Sequence, residues 1–243
     1  MPIELGDFEA KAREAIKTFW NSRNLAGKVQ EEKDKYDHGN RGKVTAGKNM
    51  DGFVSLVSDI VVANGIPEES VCLRKRVLTL PGFFRPTKSW DFLVVHQGKL
   101  IAVVEFKSQV GSFGNNFNNR TEEAIGNGLD LATAFREGAF GDQARPYVGW
   151  LMLLEDASGS RRPINDKAPH FPVFPEFAKA SYADRYHILC RKMIQENLYD
   201  AASILMSPNT AGETGEYSEF DEMTGLRTFV TQLAAHVAAA VAV

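Results

Sequence analysis

Cysteine is scarce: only Cys72 and Cys190 occur in 243 residues. That is too few for a disulfide framework or a cysteine-built zinc site, and it fits a reducing cytoplasm. Long hydrophobic runs are missing too. The apolar tail from His236 to Val243 is far too short to span a bilayer, so no membrane is expected as a partner. The start, Met1-Pro2-Ile3-Glu4-Leu5-Gly6-Asp7, has neither the basic residues nor the apolar stretch of a signal peptide. Positive charge is not in surplus, and a formal net charge of −3 argues against a general polyanion binder. No Pro/Ser/Gly-rich linker, internal repeat or low-complexity tract divides the chain. One domain over 1–243 is therefore expected, with helices over 1–65, a strand-rich core over about 66–155 and a helical part over 156–243. Hydrophobic content of 44% with 24% charged residues is that of an ordinary globular protein.

What is present is patterned. Asp7 to Asn24 sets Phe8, Ala12, Ala15, Ile16, Phe19 and Trp20 at helical spacing behind an Asp7 cap. Residues 27–50, charged and glycine-containing, read as a loop or mobile segment. A second helix is predicted from about Asn49 to Ala63, closed by Asn64-Gly65. Strands are predicted at Val71–Leu80, Trp90–Val95, Lys99–Lys107 and Tyr147–Leu154, the second and third joined as a hairpin through His96-Gln97-Gly98-Lys99. Apolar residues on both faces of that hairpin mark central strands covered by helices on each side. Further helices are predicted at about Arg120–Glu137, Tyr182–Met206 and Met223–Ala240, with Pro163–Pro175 connecting core elements. The order implies an α/β protein, a mixed sheet wrapped by helices.

Charge is segregated along the chain. From Val71 to Trp90 there are Arg74, Lys75, Arg76, Arg85 and Lys88 with no acid, while Glu213, Glu216, Glu219, Asp221 and Glu222 crowd the C-terminal region. A basic segment of this kind suits a nucleic-acid-facing surface. It equally suits a strand edge guarded by cations.

The hairpin carries the chemistry. Asp91 stands at the head of its first strand, and Glu105-Phe106-Lys107 ends its second. Carboxylates and ammoniums are costly on buried strands unless paired with each other or with a metal. Glu105 and Lys107, at i and i+2, share a face. Two carboxylates supply the oxygen ligands that magnesium prefers, and a lysine beside them can orient water and offset phosphate charge, which are the needs of phosphodiester hydrolysis. Glu-x-Lys also occurs at Glu9-Ala10-Lys11 and Glu31-Glu32-Lys33, where a helix face and a charged loop explain it by solvated pairing. A buried ion pair without catalysis is the competing reading of the third copy. The kinase and phosphate-loop motifs are absent around it. Asp91 and Glu105 share a metal only if they face the same side, which in a bulge-free hairpin sets 91 opposite 105 and calls for a three-residue turn at Gln97-Gly98-Lys99.

After Lys107 comes Ser108-Gln109-Val110-Gly111-Ser112-Phe113-Gly114-Asn115-Asn116-Phe117-Asn118-Asn119-Arg120, a loop entering a helix. Asparagine and glutamine read adenine, arginine reads guanine, and serine grips phosphate. Ser112, Asn115, Asn116, Asn118, Asn119 and Arg120 are thus candidate DNA contacts, together with Arg74, Arg76 and Arg85. Turn and capping roles are the alternative for the asparagines. Asp51 and Asp59, on the helix before the strands, are candidate extra carboxylates but read better as cap or surface residues. His187 reads as a packed helix residue, and Arg161, Arg162 and Lys167 as solvated loop cations or DNA contacts.

Asp91 with Glu105-Phe106-Lys107 resembles the signature of the PD-(D/E)xK nuclease superfamily. The longer run from Glu105 to Ser112 and on through Asn118-Asn119-Arg120-Thr121-Glu122-Glu123 resembles the XhoI-type restriction endonucleases. Gly149–Asp156 and Phe174-Pro175-Glu176-Phe177 fit as well, so the resemblance spans nearly the whole chain. Trp90 departs from the proline often found before the aspartate, a position with no required chemistry. The resemblance implies a restriction-endonuclease-like mixed central β-sheet flanked by helices on both faces. It implies a type II enzyme of the bacterial cytoplasm that cuts both strands of double-stranded DNA at the palindrome CTCGAG after the first C, leaving 5′-phosphates. Asp91 and Glu105 would bind Mg2+, with the Phe106 carbonyl as a further ligand, and Lys107 would serve the attacking water. A palindrome cut twice maps onto a homodimer. A companion DNA methyltransferase would act on the same site. The alternatives are a structure-specific or repair nuclease of the same superfamily, or a DNA-binding module with a degenerate site.

Overall fold

The computed structural model describes residues 2–34 and 50–242, and for residues 26–34 and 75 the backbone alone. Helix α1 spans Phe8–Asp34 and α2 spans Asp51–Ala63. The apolar stripe read from the sequence is the buried one, with Phe8, Ala12, Ala15, Ile16 and Phe19 in the core. Close crossing of the two helices needs Gly52, because a Cβ there would lie 2.7 Å from the Ala15 Cα. The helix runs on to Asp34, well past Asn24, through part of the segment expected to be loop. The rest of that expected loop, 35–49, lies outside the described residues.

Five strands form the main sheet: β1 (Val71–Cys72), β4 (Phe92–His96), β5 (Lys99–Gln109), β6 (Tyr147–Glu155) and β7 (Ala201–Ser207), side by side in that order. The β1–β4 and β4–β5 pairs are antiparallel, while β5–β6 and β6–β7 are parallel. Helices α3 (Phe113–Arg136) and α5 (Tyr182–Gln195) pack with Leu93, Val103, Trp150 and Met152 on one face, and α1, α2 and α6 (Leu226–Val241) with Phe92, Val104, Phe106 and Leu151 on the other. Alternation along β4 and β5 thus feeds two cores, as a sheet covered on both sides requires. This is a restriction-endonuclease-like α/β architecture, a mixed central sheet between helical layers. A short helix α4 (Ser158–Arg161) and a separate two-stranded ribbon, β2 (Thr79–Pro81) with β3 (Thr87–Ser89), complete the elements named here.

Three expected elements change. The strand expected over Val71–Leu80 breaks after Cys72, because Leu73 and Arg74 turn out to solvent. A 3₁₀ turn at Lys75–Val77 then carries the chain into the ribbon. The helix expected over Tyr182–Met206 ends at Gln195, Asn197 adopts a left-handed φ of 56°, and Ala201–Ser207 is a strand. All seven of its residues are buried, so it carries no alternation. A sheet member therefore lies in the 156–243 part expected to be helical. Helix α3 starts at Phe113, so the asparagines of the expected loop stand on its first turns. Phe113 and Phe117, at i and i+4, bring that end onto Tyr182 with ring centroids 6.4 and 6.1 Å apart.

Candidate active site

The hairpin register decides whether the acids meet. Phe92 pairs with Val104, Leu93 with Val103 and Val94 with Ala102, so Asp91 comes opposite Glu105 at the open end. The turn differs from expectation. It has two residues, Gln97 and Gly98, both left-handed at φ 50° and 75°, and the register shifts at Val94/Val95. Ile101 is the extra residue of a β-bulge, which restores the parity that a two-residue turn alone would spoil. Without the bulge, Glu105 would face the helices of the opposite layer.

Asp91 lies just before β4, and its Oδ2 accepts the Phe106 amide at 2.9 Å. Because N–H and C=O of an extended residue point to the same edge, the Phe106 carbonyl also faces the gap where β4 ends. Glu105 is 3% exposed. Its Oε1 lies 2.7 Å from the Lys107 Nζ and its Oε2 accepts from the Lys88 Nζ at 2.9 Å. Lys88 reaches it from the ribbon, donates to the Ser89 carbonyl at 2.9 Å, and sits 4.2 Å from the Trp90 ring centroid. Trp90, in the place where the superfamily often has proline, is thus the platform for a second ammonium.

These neighbours set protonation. Burial first, and then the adjacent Glu105 charge, push Asp91 above the ordinary carboxylate range. Burial pulls Lys107 down, but Glu105, Asp91 and Glu123 outweigh it and hold the group up as an ammonium. Glu123, on α3, reaches Lys107 at 3.6 Å and Arg120 at 3.5 Å. Arg120 also donates to the Ser108 carbonyl at 3.3 Å, which places it at the rim of the site.

Other sequence candidates fall elsewhere. Ser112 has a left-handed φ of 45° beneath the start of α3, and Asn116 donates to its carbonyl at 3.1 Å. Asn115, Asn118 and Asn119 are exposed on the same helix. Arg74 and Arg76 are exposed before the ribbon, whereas the Arg85 Nε is bound to Asp130 at 2.7 Å. Asp51 is exposed at the head of α2, and Asp59 pairs with Lys11 at 2.6 Å on the surface. His187 is bound to Asp221 at 2.8 Å and stacked on Phe220. Arg161 pairs with Asp156, while Arg162 and Lys167 are exposed. Lys88 and Glu123 were not among the expected catalytic residues. Lys88 was legible only as part of a basic segment, and nothing in the spacing of Glu123 marks it.

The donor set suits a hard cation. Among the described residues no group of three or more Asp, Glu, His or Cys side chains is placed to cage a metal. Two carboxylates and a main-chain carbonyl leave most of the coordination to water and substrate oxygens, the habit of Mg2+ rather than of a structural zinc. No described helix is long and apolar enough to cross a membrane.

Comparisons with known proteins identify the family. Residues 29–219 match the family described as restriction endonuclease XhoI. The type II restriction enzyme XhoI of Xanthomonas vasicola is 49% identical over 86% of this chain and 84% of its own length. Type II restriction enzyme AbrI of Azospirillum brasilense is 56% identical over 70% and 77%, and BstVI of Geobacillus stearothermophilus 46% over 83% and 92%. No solved structure matches. The family match over most of the chain and the identity to three type II restriction enzymes show that the chain belongs to the XhoI restriction endonuclease family, a family of type II site-specific deoxyribonucleases.

Proposed function

We propose that this type II restriction endonuclease cuts double-stranded DNA at the palindrome CTCGAG after the first C, leaving 5′-phosphates, with Asp91, Glu105 and Lys107 as its catalytic residues and Mg2+ as its cofactor. The observation that carries the catalytic assignment is the bulge-corrected register that sets Asp91 opposite Glu105 on the face Lys107 shares. The target sequence rests on likeness to the XhoI enzyme, 49% identical over 210 residues.

Asp91, Glu105 and the Phe106 carbonyl would hold Mg2+, which when bound supplies charge for the phosphate oxygens and a more acidic water. The chain's own groups do the rest. Lys107, kept as an ammonium, orients the attacking water and offsets phosphate charge. Lys88 adds a second ammonium on the same carboxylate, at the edge where the ribbon meets the sheet. Asp91, pinned by the Phe106 amide, is fixed before substrate arrives. Arg120 at the site rim, exposed Arg74 and Arg76, and the polar residues Ser112, Asn115, Asn116, Asn118 and Asn119 would contact DNA. A palindrome fits a homodimer acting in the bacterial cytoplasm beside a methyltransferase that protects the same site.

Digestion of a sequenced plasmid with Mg2+, followed by end sequencing, tests this directly. Discrete fragments with ends at CTCGAG are expected, with none in EDTA and none from Glu105→Ala or Lys107→Ala. Fragments ending at another sequence would overturn the target, and nicking or trimming would point to a different nuclease of the superfamily. Sedimentation of the free enzyme as a monomer at all concentrations would overturn the dimer.

A further inference from the structure

The ribbon that delivers Lys88 to Glu105 ends in an exposed pair of phenylalanines, and we propose that Phe83 and Phe84 form a wedge that inserts at a base step of the bound duplex. This rests on cleavage of double-stranded DNA by the adjacent site. The ribbon is short, pairing Thr79 with Ser89, Leu80 with Lys88 and Pro81 with Thr87, and its turn is Gly82-Phe83-Phe84-Arg85-Pro86.

The turn is held from below. Asp130, buried on α3, accepts the amides of Phe83 and Phe84 at 2.7 and 2.8 Å and the Arg85 Nε at 2.7 Å. Asn127 accepts the Arg85 guanidinium at 2.6 Å. These bonds hold Asp130 below the ordinary carboxylate range against the opposing effect of burial. Gly82 is required, since a Cβ there would lie 2.5 Å from the Asp130 Oδ2 and 2.6 Å from the Arg85 carbonyl. Arg85 is therefore a buttress of the turn, with its charge directed at Asp130.

This buttress presents apolar surface rather than covering it. Phe83 is 53% exposed and Phe84 67%, with the rings edge to face at 5.7 Å. Rigidly displayed aromatics on a loop are costly to solubility and mark a contact surface. Two features select DNA over a second copy of the chain. Of the cations between Val71 and Trp90, Arg85 and Lys88 are paired with Asp130 and Glu105, but Arg74 and Arg76 are exposed in a segment that contains no acid, so the chain leading into the ribbon attracts a polyanion and offers a second copy no opposite charge. Moreover Lys88, in the middle of β3 and four residues beyond Phe84, reaches the carboxylate of Glu105, so the tip and the site are carried by one ribbon. A phenylalanine wedge unstacks a step and kinks the duplex, and the cost depends on the step, so the tip would add sequence preference without a hydrogen bond to a base.

The test uses duplexes of the sequence that the wild-type enzyme is found to cut, with 2-aminopurine placed at successive positions and the Lys107→Ala protein preventing cleavage. On binding, fluorescence is expected to rise several-fold at one step. Adding Phe83→Ala and Phe84→Ala should remove the rise and weaken binding about tenfold to a hundredfold, with an unchanged melting temperature because both rings are largely outside the core. A rise kept by the triple variant, or none at any position of a cut duplex, would overturn the wedge. So would a shift of the free protein to half its mass on losing the two rings, which would make the tip a dimer contact. If the wild-type enzyme cuts no duplex at all, the nuclease reading fails first, and this is seen in the cleavage lane rather than in the fluorescence.

Discussion

Replacing either acid of the site should abolish cleavage, yet the two replacements should move stability in opposite directions. Glu105 is the shared partner of two ammoniums, Lys107 at 2.7 Å and Lys88 at 2.9 Å, with side-chain exposures of 4% for the acid and 17% and 11% for the lysines. At an effective dielectric near 20, each pair is worth roughly 6 kcal/mol of gross attraction, most of it offset by desolvation. Removing the acid leaves two half-buried like charges facing one another, and breaking a buried pair costs about 3–5 kcal/mol. Lys88 keeps the Ser89 carbonyl and the Trp90 ring, and Lys107 keeps Glu123, so the low end applies. Glu105→Gln is therefore expected to lose about 3 kcal/mol, or about 6–12 °C of melting temperature for a domain of this size.

Asp91→Asn should behave otherwise. Burial and the Glu105 charge raise Asp91 above 3.8, so the folded protein holds its ionised form less well than the unfolded chain does. The stability tied to its protonated form is complete below pH 3.8 and is lost as pH rises through the folded titration. The side-chain carbonyl of the introduced asparagine can still accept the Phe106 N–H. In EDTA at neutral pH, Asp91→Asn is thus expected to melt at or above the wild-type temperature, with the difference vanishing on acidification. Differential scanning calorimetry of both variants decides it. Glu105→Gln melting within about 2 °C of wild type, less than one kcal/mol would produce, would refute the claim that Glu105 holds the lysine cluster. Asp91→Asn melting lower at neutral pH would refute the sign.

Lys88→Ala is expected to slow single-turnover cleavage about a hundredfold, as loss of one preorganised cation does. An unchanged rate would reduce Lys88 to a structural partner of Glu105. Arg74→Ala and Arg76→Ala should weaken binding on all sequences alike and flatten the salt dependence by about one unit per lost phosphate contact, whereas a loss confined to cognate DNA would contradict an electrostatic role. Gly82→Ala forces a methyl against Asp130 and the Arg85 carbonyl, and should cost about 1–3 kcal/mol together with duplex affinity. An unaltered melting curve would show that the turn is not buttressed as described.

The parts of this enzyme that were legible in its sequence are those where local chemistry and tertiary demand agree. Phe8 to Trp20 is amphipathic at helical spacing and is buried on that face, and Glu105-Phe106-Lys107 ends an apolar strand that sits centrally in the sheet. Where the two part company, tertiary packing wins. Ala201–Ser207 consists largely of residues tolerant of helix and is buried on both sides, so its strand conformation comes from pairing with β6 and leaves no period to read. The asparagines after Ser112 favour turns locally, but Phe113 and Phe117 draw them into α3 by packing on the tyrosines of α5. At the site, sequence parity placed Asp91 opposite Glu105, but only a bulge at Ile101 reconciles that pairing with a Gln97-Gly98 turn. Lys88 shows the same logic most sharply. Its distance of 17 residues from Glu105 carries no signal, and it reaches the acid because β3 is held by β2 and Trp90 offers its ring beneath the ammonium. A candidate catalytic hairpin of this kind is therefore read from its own residues as far as Asp91, Glu105 and Lys107. The second cation on Glu105, Lys88, arrives from an element whose position is set by the rest of the fold.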